Sequence, residues 1–199
     1  MRILYHHRIR AGDAQRIHIE EMVHALRELG NDVKVVALSG EDHCRSHAGE
    51  PSWPARILKS APSWLYEVMS LAYNIYGYLM LRRRARAFRP DVLYERYSLN
   101  TFCGLWLARL TRVPIIFEVN APLAQEQEKL GKLAFRRLAR LSVRWICANS
   151  TWTIVVSDVL KDLLAAEGVP RERMVVVRNG VDPRRFRPDV SDRAIRAKH

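Results

Sequence analysis

Short apolar runs punctuate this chain, and polar or amphipathic stretches separate them. Residues 2–5, 33–38, 91–97, 114–120, 154–157 and 174–177 are brief and rich in Val, Ile, Leu and aromatics, as buried strands are. Between the first two, Ile19, Met22, Val23, Leu26 and Leu29 recur at helical spacing, and Gly30 marks the stop. That strand–loop–helix–strand order predicts a parallel βαβ unit with a right-handed crossover. Further helices are predicted over 99–110, 132–145 and 158–167, the last capped by Ser157 and closed by Gly168 and Pro170. The whole alternation predicts an α/β fold, a doubly wound parallel sheet of Rossmann-like type. Residues 39–62 break it with Pro51, Pro54 and Pro62 and read as one long loop, in which Trp53 is an anchor or a ligand contact.

Residues 64–81 are the most apolar stretch, and Arg82, Arg83, Arg84 and Arg86 follow it. Glu67, Ser70, Asn74 and Gly77 fall on one helical stripe, opposite Leu65, Val68, Met69, Ala72 and Tyr76. This predicts an amphipathic helix whose apolar face packs on the core. Contact with a membrane surface is the alternative, and a membrane span a third reading.

Size and hydrophobic content add little: 199 residues with 48% hydrophobic and 27% charged suit one ordinary globular domain. The formal net charge of +12 does change the picture, because it favours partners that carry phosphates. Much of it gathers in one segment. Lys132, Arg136, Arg140 and Arg144 recur every four positions with Arg137 beside them, and no acidic residue occurs between Lys129 and Ser157. Leu138, Leu141 and Trp145 make the other face. Such a stripe fits a phosphate-bearing partner, an anionic membrane surface before nucleic acid, or else a solvated face.

Cys44, Cys103 and Cys147 form no Cys-x-x-Cys pair and read as reduced thiols of a cytoplasmic protein. His43, Cys44 and His47 lack a fourth ligand nearby, so no metal is expected. The opening residues do not form a signal peptide.

Polar residues collect where the predicted strands end, which is where open α/β sheets bind ligands. The first strand leads into a loop containing Asp13 and Arg16, with Arg8 and Arg10 as further cations. Glu95, Arg96 and Tyr97 end the third, and Glu118 and Asn120 the fourth, with Glu126 following. Behind the sixth, Asn179-Gly180 breaks the chain. Val181, Asp182, Pro183, Phe186 and Pro188 then run on without periodicity, as at the edge of a domain.

The segment Asn179-Gly180-Val181-Asp182, with Phe186 and Pro188, resembles the domain junction of glycosyltransferase family 4. The alternating elements before it resemble that family's N-terminal domain. The resemblance implies the N-terminal half of a GT-B type enzyme. Residues 1–180 would form the acceptor-side domain and 181–199 a linker or truncated tail, with the C-terminal donor domain absent or on a separate chain. The family moves a sugar from a nucleotide-sugar donor to a hydroxyl acceptor, here a glycan, a lipid-linked carbohydrate or a small molecule, with no cofactor in most members. It implies catalytic roles for Glu118 and Asn120, and substrate contacts for Asp13, Arg16, Glu95, Arg96, Tyr97, Glu126 and Asn179. Lys132, Arg136, Arg140 and Arg144 would then meet membrane phosphates at the inner face. Glu20 with Glu28, and Glu118 with Glu126, reproduce the spacing of the family's donor-site glutamates. Neither opens a helix after a Gly-rich loop, so neither is a donor site. Without its donor half the chain is expected to be inactive. The rival reading is a basic, non-catalytic module on an anionic membrane or nucleic acid.

Overall fold

The computed structural model describes residues 1–9, 14–37, 40–41, 62–180 and 183. Asp13, Arg10, Trp53, the His43–Cys44–His47 group and Asp182 lie outside them. Six parallel strands form the sheet: β1 (Arg2–His7), β2 (Asp32–Ala37), β4 (Val92–Arg96), β5 (Ile115–Val119), β6 (Trp152–Val155) and β7 (Met174–Val176). A two-residue strand, β3 (Gly40–Glu41), pairs antiparallel with β2 within the stretch expected to be all loop. The sheet order is β3-β2-β1-β4-β5-β6-β7. The chain therefore reverses its direction of growth between β1 and β4, and the carboxyl ends on either side of that point are where a ligand crevice belongs.

The helices are α1 (Ala14–Glu28), α2 (Ser63–Phe88), α3 (Cys103–Thr111), α4 (Leu123–Lys129), α5 (Arg136–Asn149) and α6 (Asp158–Ala166). Gly30 ends the turn after α1 with φ +78°, and Ser157 Oγ accepts from Leu160 N at 3.2 Å to start α6. Strand alternation divides the core in two. Ile3, Tyr5, Val33, Val92 and Tyr94 pack with Ile19 and Val23 of α1 on one face. Leu4, Val36, Leu93, Phe117 and Val119 pack on the other, against α2, α3, α5 and α6.

One helix buries a different face from the expected one, and a second leaves its large apolar side chains exposed. In α2 the stripe Glu67, Ser70, Asn74 and Gly77 points inward together with Tyr73 and Leu81, while Trp64, Val68, Met69, Ile75, Tyr76 and Leu79 are exposed. Two of the inward polar groups bind backbone of neighbouring elements. Glu67 accepts from Ala134 N at 2.5 Å and Phe135 N at 3.2 Å, capping the start of α5. Asn74 donates to Asn100 O at 2.8 Å and accepts from Phe102 N at 2.6 Å. Periodicity separates two faces of a helix; specific hydrogen bonds decide here which one turns in. In α5 the buried face is Ala139, Ser142, Val143, Ile146 and Cys147, and Leu138, Leu141 and Trp145 remain exposed. Lys132 precedes this helix. Arg136 and Arg140 both reach Glu128, at 3.6 and 2.6 Å, so the stripe is partly neutralised by an acid just outside it.

Candidate functional site

Glu118 is the hub of the α1 face. It ends β5 almost wholly buried, yet both carboxylate oxygens are satisfied. Oε1 accepts from Arg96 Nη1 and His18 Nε2, each at 3.0 Å, and from the Asn120 side-chain amide. Oε2 accepts from Tyr94 OH at 2.9 Å and Tyr5 OH at 3.5 Å. Burial alone would raise the carboxyl. The bonds from His18 and Asn120 and the Arg96 charge outweigh it and hold Glu118 below its ordinary value. An ionised Glu118 only accepts, so the His18 ring carries its proton on Nε2. Burial and the Glu118 charge push Tyr5 and Tyr94 far up, so both remain phenols and donate.

The tyrosines also stack, with ring centroids 4.9 Å apart. His7 lies above Tyr5 on this face; burial, then the neighbouring His6 and Arg96, lower it to about 4 and keep it neutral.

The opposite face carries a second polar cluster one residue away. Glu95 of β4 lies beside His6 of β1, with Oε1 3.1 Å from His6 Nδ1. His6 Nε2 meets Tyr73 OH at 3.0 Å, and the Arg8 guanidinium covers the Tyr73 ring at 4.1 Å. Cys103 opens α3 against the same carboxylate. Burial, then Glu95, push its thiol well above the ordinary range. The donor atoms of His6, Glu95 and Cys103 lie within 4.8 Å of one another.

An open groove of about 360 Å³ runs beside the Glu118 hub. His18, Met22 and Glu28 of α1 form one wall; Ile154, Val177, Arg178 and Asn179 form the other. His18 and Glu118 both line it. The fold thus gathers Arg96, Glu118 and Asn120 and brings Asn179 to the same groove. Glu95 stands on the far face. Tyr97 is buried, Glu126 lies on α4, and Arg16 pairs with Glu20 at 3.1 Å. Sequence reasoning passed over His18, Tyr5 and Tyr94. His18 had a signal: it sits in the first turns of the helix that leaves the carboxyl end of β1, facing the predicted crevice.

Beyond the groove, no helix among the described residues covers the α1 face. Trp152 of β6, Val175 of β7 and Val177 after it are exposed although the sheet there is parallel. Among the described residues no helix is long and apolar enough to cross a membrane.

Residues 15–185 match the family model described as Glycosyltransferase Family 4. No curated protein matches the chain in sequence. Among solved structures, HepE of Anabaena in complex with UDP and glucose is 13% identical with a TM-score of 0.56, covering 100% of this chain and 50% of that one. A glycosyltransferase from Rickettsia africae ESF-5 is 11% identical with a TM-score of 0.60, over 99% and 48%. UDP-GlcNAc 2-epimerase from Methanocaldococcus jannaschii is 15% identical with a TM-score of 0.51, over 90% and 46%. The chain spans about half the length of these proteins, and at such identities the likeness shows a shared fold.

Proposed function

Since the chain belongs to glycosyltransferase family 4, we propose that it is the acceptor-binding half of a transferase using a nucleotide-sugar donor. The observation that carries this reading is the groove floored by the His18–Glu118 pair. Glu118 fixes the imidazole, and the imidazole lines a space open to an acceptor. Such a pair can take the proton of an attacking hydroxyl, with Glu118 stabilising the imidazolium that results. Arg96 and Asn120 hold Glu118 in place, and Asn179 faces the same space.

Two features support a partner for this half. Parallel sheets are normally covered on both faces, yet Trp152, Val175 and Val177 stand uncovered beside the groove. Less than half of each side chain remains to be buried, so each would contribute roughly 1 kcal/mol. A donor-binding domain, on the same or a separate chain, fits that surface. Residues 1–199 alone then bind acceptor but transfer no sugar.

Calorimetric titration with free oligosaccharides, lipid-linked glycans and nucleotide sugars tests this. An acceptor should bind and His18→Ala should lose it. Turnover by this chain alone, or tight binding of nucleotide sugars with none of acceptors, overturns the reading.

A membrane-surface acceptor is favoured by α2. Its exposed Trp64, Val68, Ile75, Tyr76 and Leu79 lead directly into exposed Arg82, Arg83 and Arg86. Glu67 joins this helix to the start of α5, where Phe135 and Leu138 are also exposed beside Arg136 and Arg137. Apolar and aromatic side chains next to arginines are the composition of a helix lying in an anionic lipid surface. Flotation with anionic vesicles should recover the chain, less so with charge reversal at Arg136, Arg140 and Arg144 or as salt rises. Equal affinity for neutral vesicles removes this reading. Tighter, salt-dependent binding to a DNA duplex would favour the nucleic-acid module instead.

A further inference from the structure

We propose that His6, Glu95 and Cys103 form a buried structural zinc site that ties β1, β4 and the start of α3 together. Each of the three is at most 2% exposed. They come from separate elements, and their nitrogen, oxygen and sulfur donors converge within 4.8 Å.

The polar atoms are left wanting. His6 Nδ1 and both Glu95 oxygens are buried and have no hydrogen-bond partner among the described residues, although Nδ1 and Oε1 stand only 3.1 Å apart. A buried carboxylate without a donor is costly. A cation between these atoms supplies what the protein does not. Zinc takes imidazole nitrogen at about 2.0–2.1 Å and carboxylate oxygen at about 2.0–2.2 Å, so two such donors on a tetrahedral ion stand roughly 3.3–3.5 Å apart. The 3.1 Å separation of Nδ1 and Oε1 is close to that spacing. Sulfur binds slightly farther out, at about 2.3 Å, which puts it roughly 3.6 Å from the other donors, so the 4.8 Å envelope closes by at most about 1.2 Å on the ion.

The surroundings match a metal-bound histidine. Nε2 faces Tyr73 OH at 3.0 Å, which orients the ring and leaves Nδ1 for the ion. The packing is tight as well. A Cβ on Gly104 would fall 1.8 Å from Glu95 Oε2, and one on Gly77 2.8 Å from Cys103 Sγ, so both carboxylate and thiol are clamped against glycine backbone. Thiolate and imidazole select zinc over magnesium or calcium. On binding, the Cys103 thiol loses its proton to solvent, and its sulfur electron pair is donated to the ion. Neither Glu95 oxygen is engaged in a hydrogen bond among the described residues, and binding through both would give the ion four donors. The site would brace the strand whose next residue, Arg96, holds Glu118.

The experiment is metal analysis of the purified full chain from zinc-supplemented cells, followed by cobalt exchange. One equivalent of zinc should survive gel filtration with a weak chelator. The cobalt form should show a thiolate-to-cobalt charge-transfer band, lost in Cys103→Ser and kept in Cys44→Ser. Tyr73→Phe should weaken zinc binding by about 10–100-fold, as the loss of an outer-shell partner does. A wild-type chain that neither carries nor takes up stoichiometric zinc overturns the proposal, whatever its variants do. So does a band that survives Cys103→Ser or disappears with Cys44→Ser.

Discussion

Glu118 and Glu95 are nearly equally buried carboxylates at the ends of adjacent strands, on opposite faces of one sheet. The first collects bonds from His18, Arg96, Asn120, Tyr5 and Tyr94. The second accepts none among the described residues and meets a histidine and a thiol instead. A fully satisfied carboxylate is a fixed charge that can orient a neighbour. An unsatisfied one is a ligand or a liability. Strand alternation alone keeps the two environments apart, since Glu95 and Arg96 must point to opposite faces.

Breaking the satisfied cluster should have the largest effect. Glu118→Ala strands the Arg96 guanidinium and two buried phenols, and should cost roughly 3–5 kcal/mol in urea unfolding. A loss below about 1 kcal/mol would mean the hub does not hold the fold as described. Arg96→Met removes one charged donor and leaves the other bonds in place, so roughly 1.5–3 kcal/mol should be lost.

Acid sharpens the contrast within the α1 face. The Glu118 carboxyl is held below its unfolded value, so its contribution is fully present above the ordinary carboxylate range and disappears as pH falls through the lowered folded value. His7 acts earlier. Its folded value of about 4 lies under the ordinary 6.5, so between them the unfolded chain binds more protons and stability rises with pH. His7→Gln should flatten that slope between pH 4 and 6.5; an unchanged profile from thermal melts would exclude His7 as its source. Smallest of all should be Glu95→Gln in the metal-stripped chain. Glu95 accepts no hydrogen bond among the described residues and has only the His6 ring beside it at 3.1 Å, so removing its charge should change stability by less than about 1 kcal/mol, or raise it. A loss as large as that of Glu118→Ala would show that the two carboxylates are equivalent after all.

Much of the fold was legible. The predicted strands match the observed parallel ones to within a few residues, because short β-rich runs bounded by turn residues leave little choice of conformation. Clustering at strand ends also placed Glu118, Arg96 and Asn120 near one another before any geometry was known. Other features were hidden for a physical reason. The two-residue β3 and the seven-residue α4 are too short to show a period. The orientation of α2 depends on Glu67 finding two backbone amides and Asn74 a loop, which no local pattern encodes.

By itself, then, the sequence determined the longer elements and the parallel sheet they form, and its Asn179-Gly180 exit carried the family resemblance. These depend on local conformational preference and on burial periodicity within single segments. Tertiary structure alone decided that α2 turns its polar stripe inward, that His18 meets Glu118 across 100 positions, and that His6, Glu95 and Cys103 converge. Those outcomes rest on pairings between distant segments. A buried polar atom takes whichever partner the fold brings within reach, and a one-dimensional pattern cannot say which that will be.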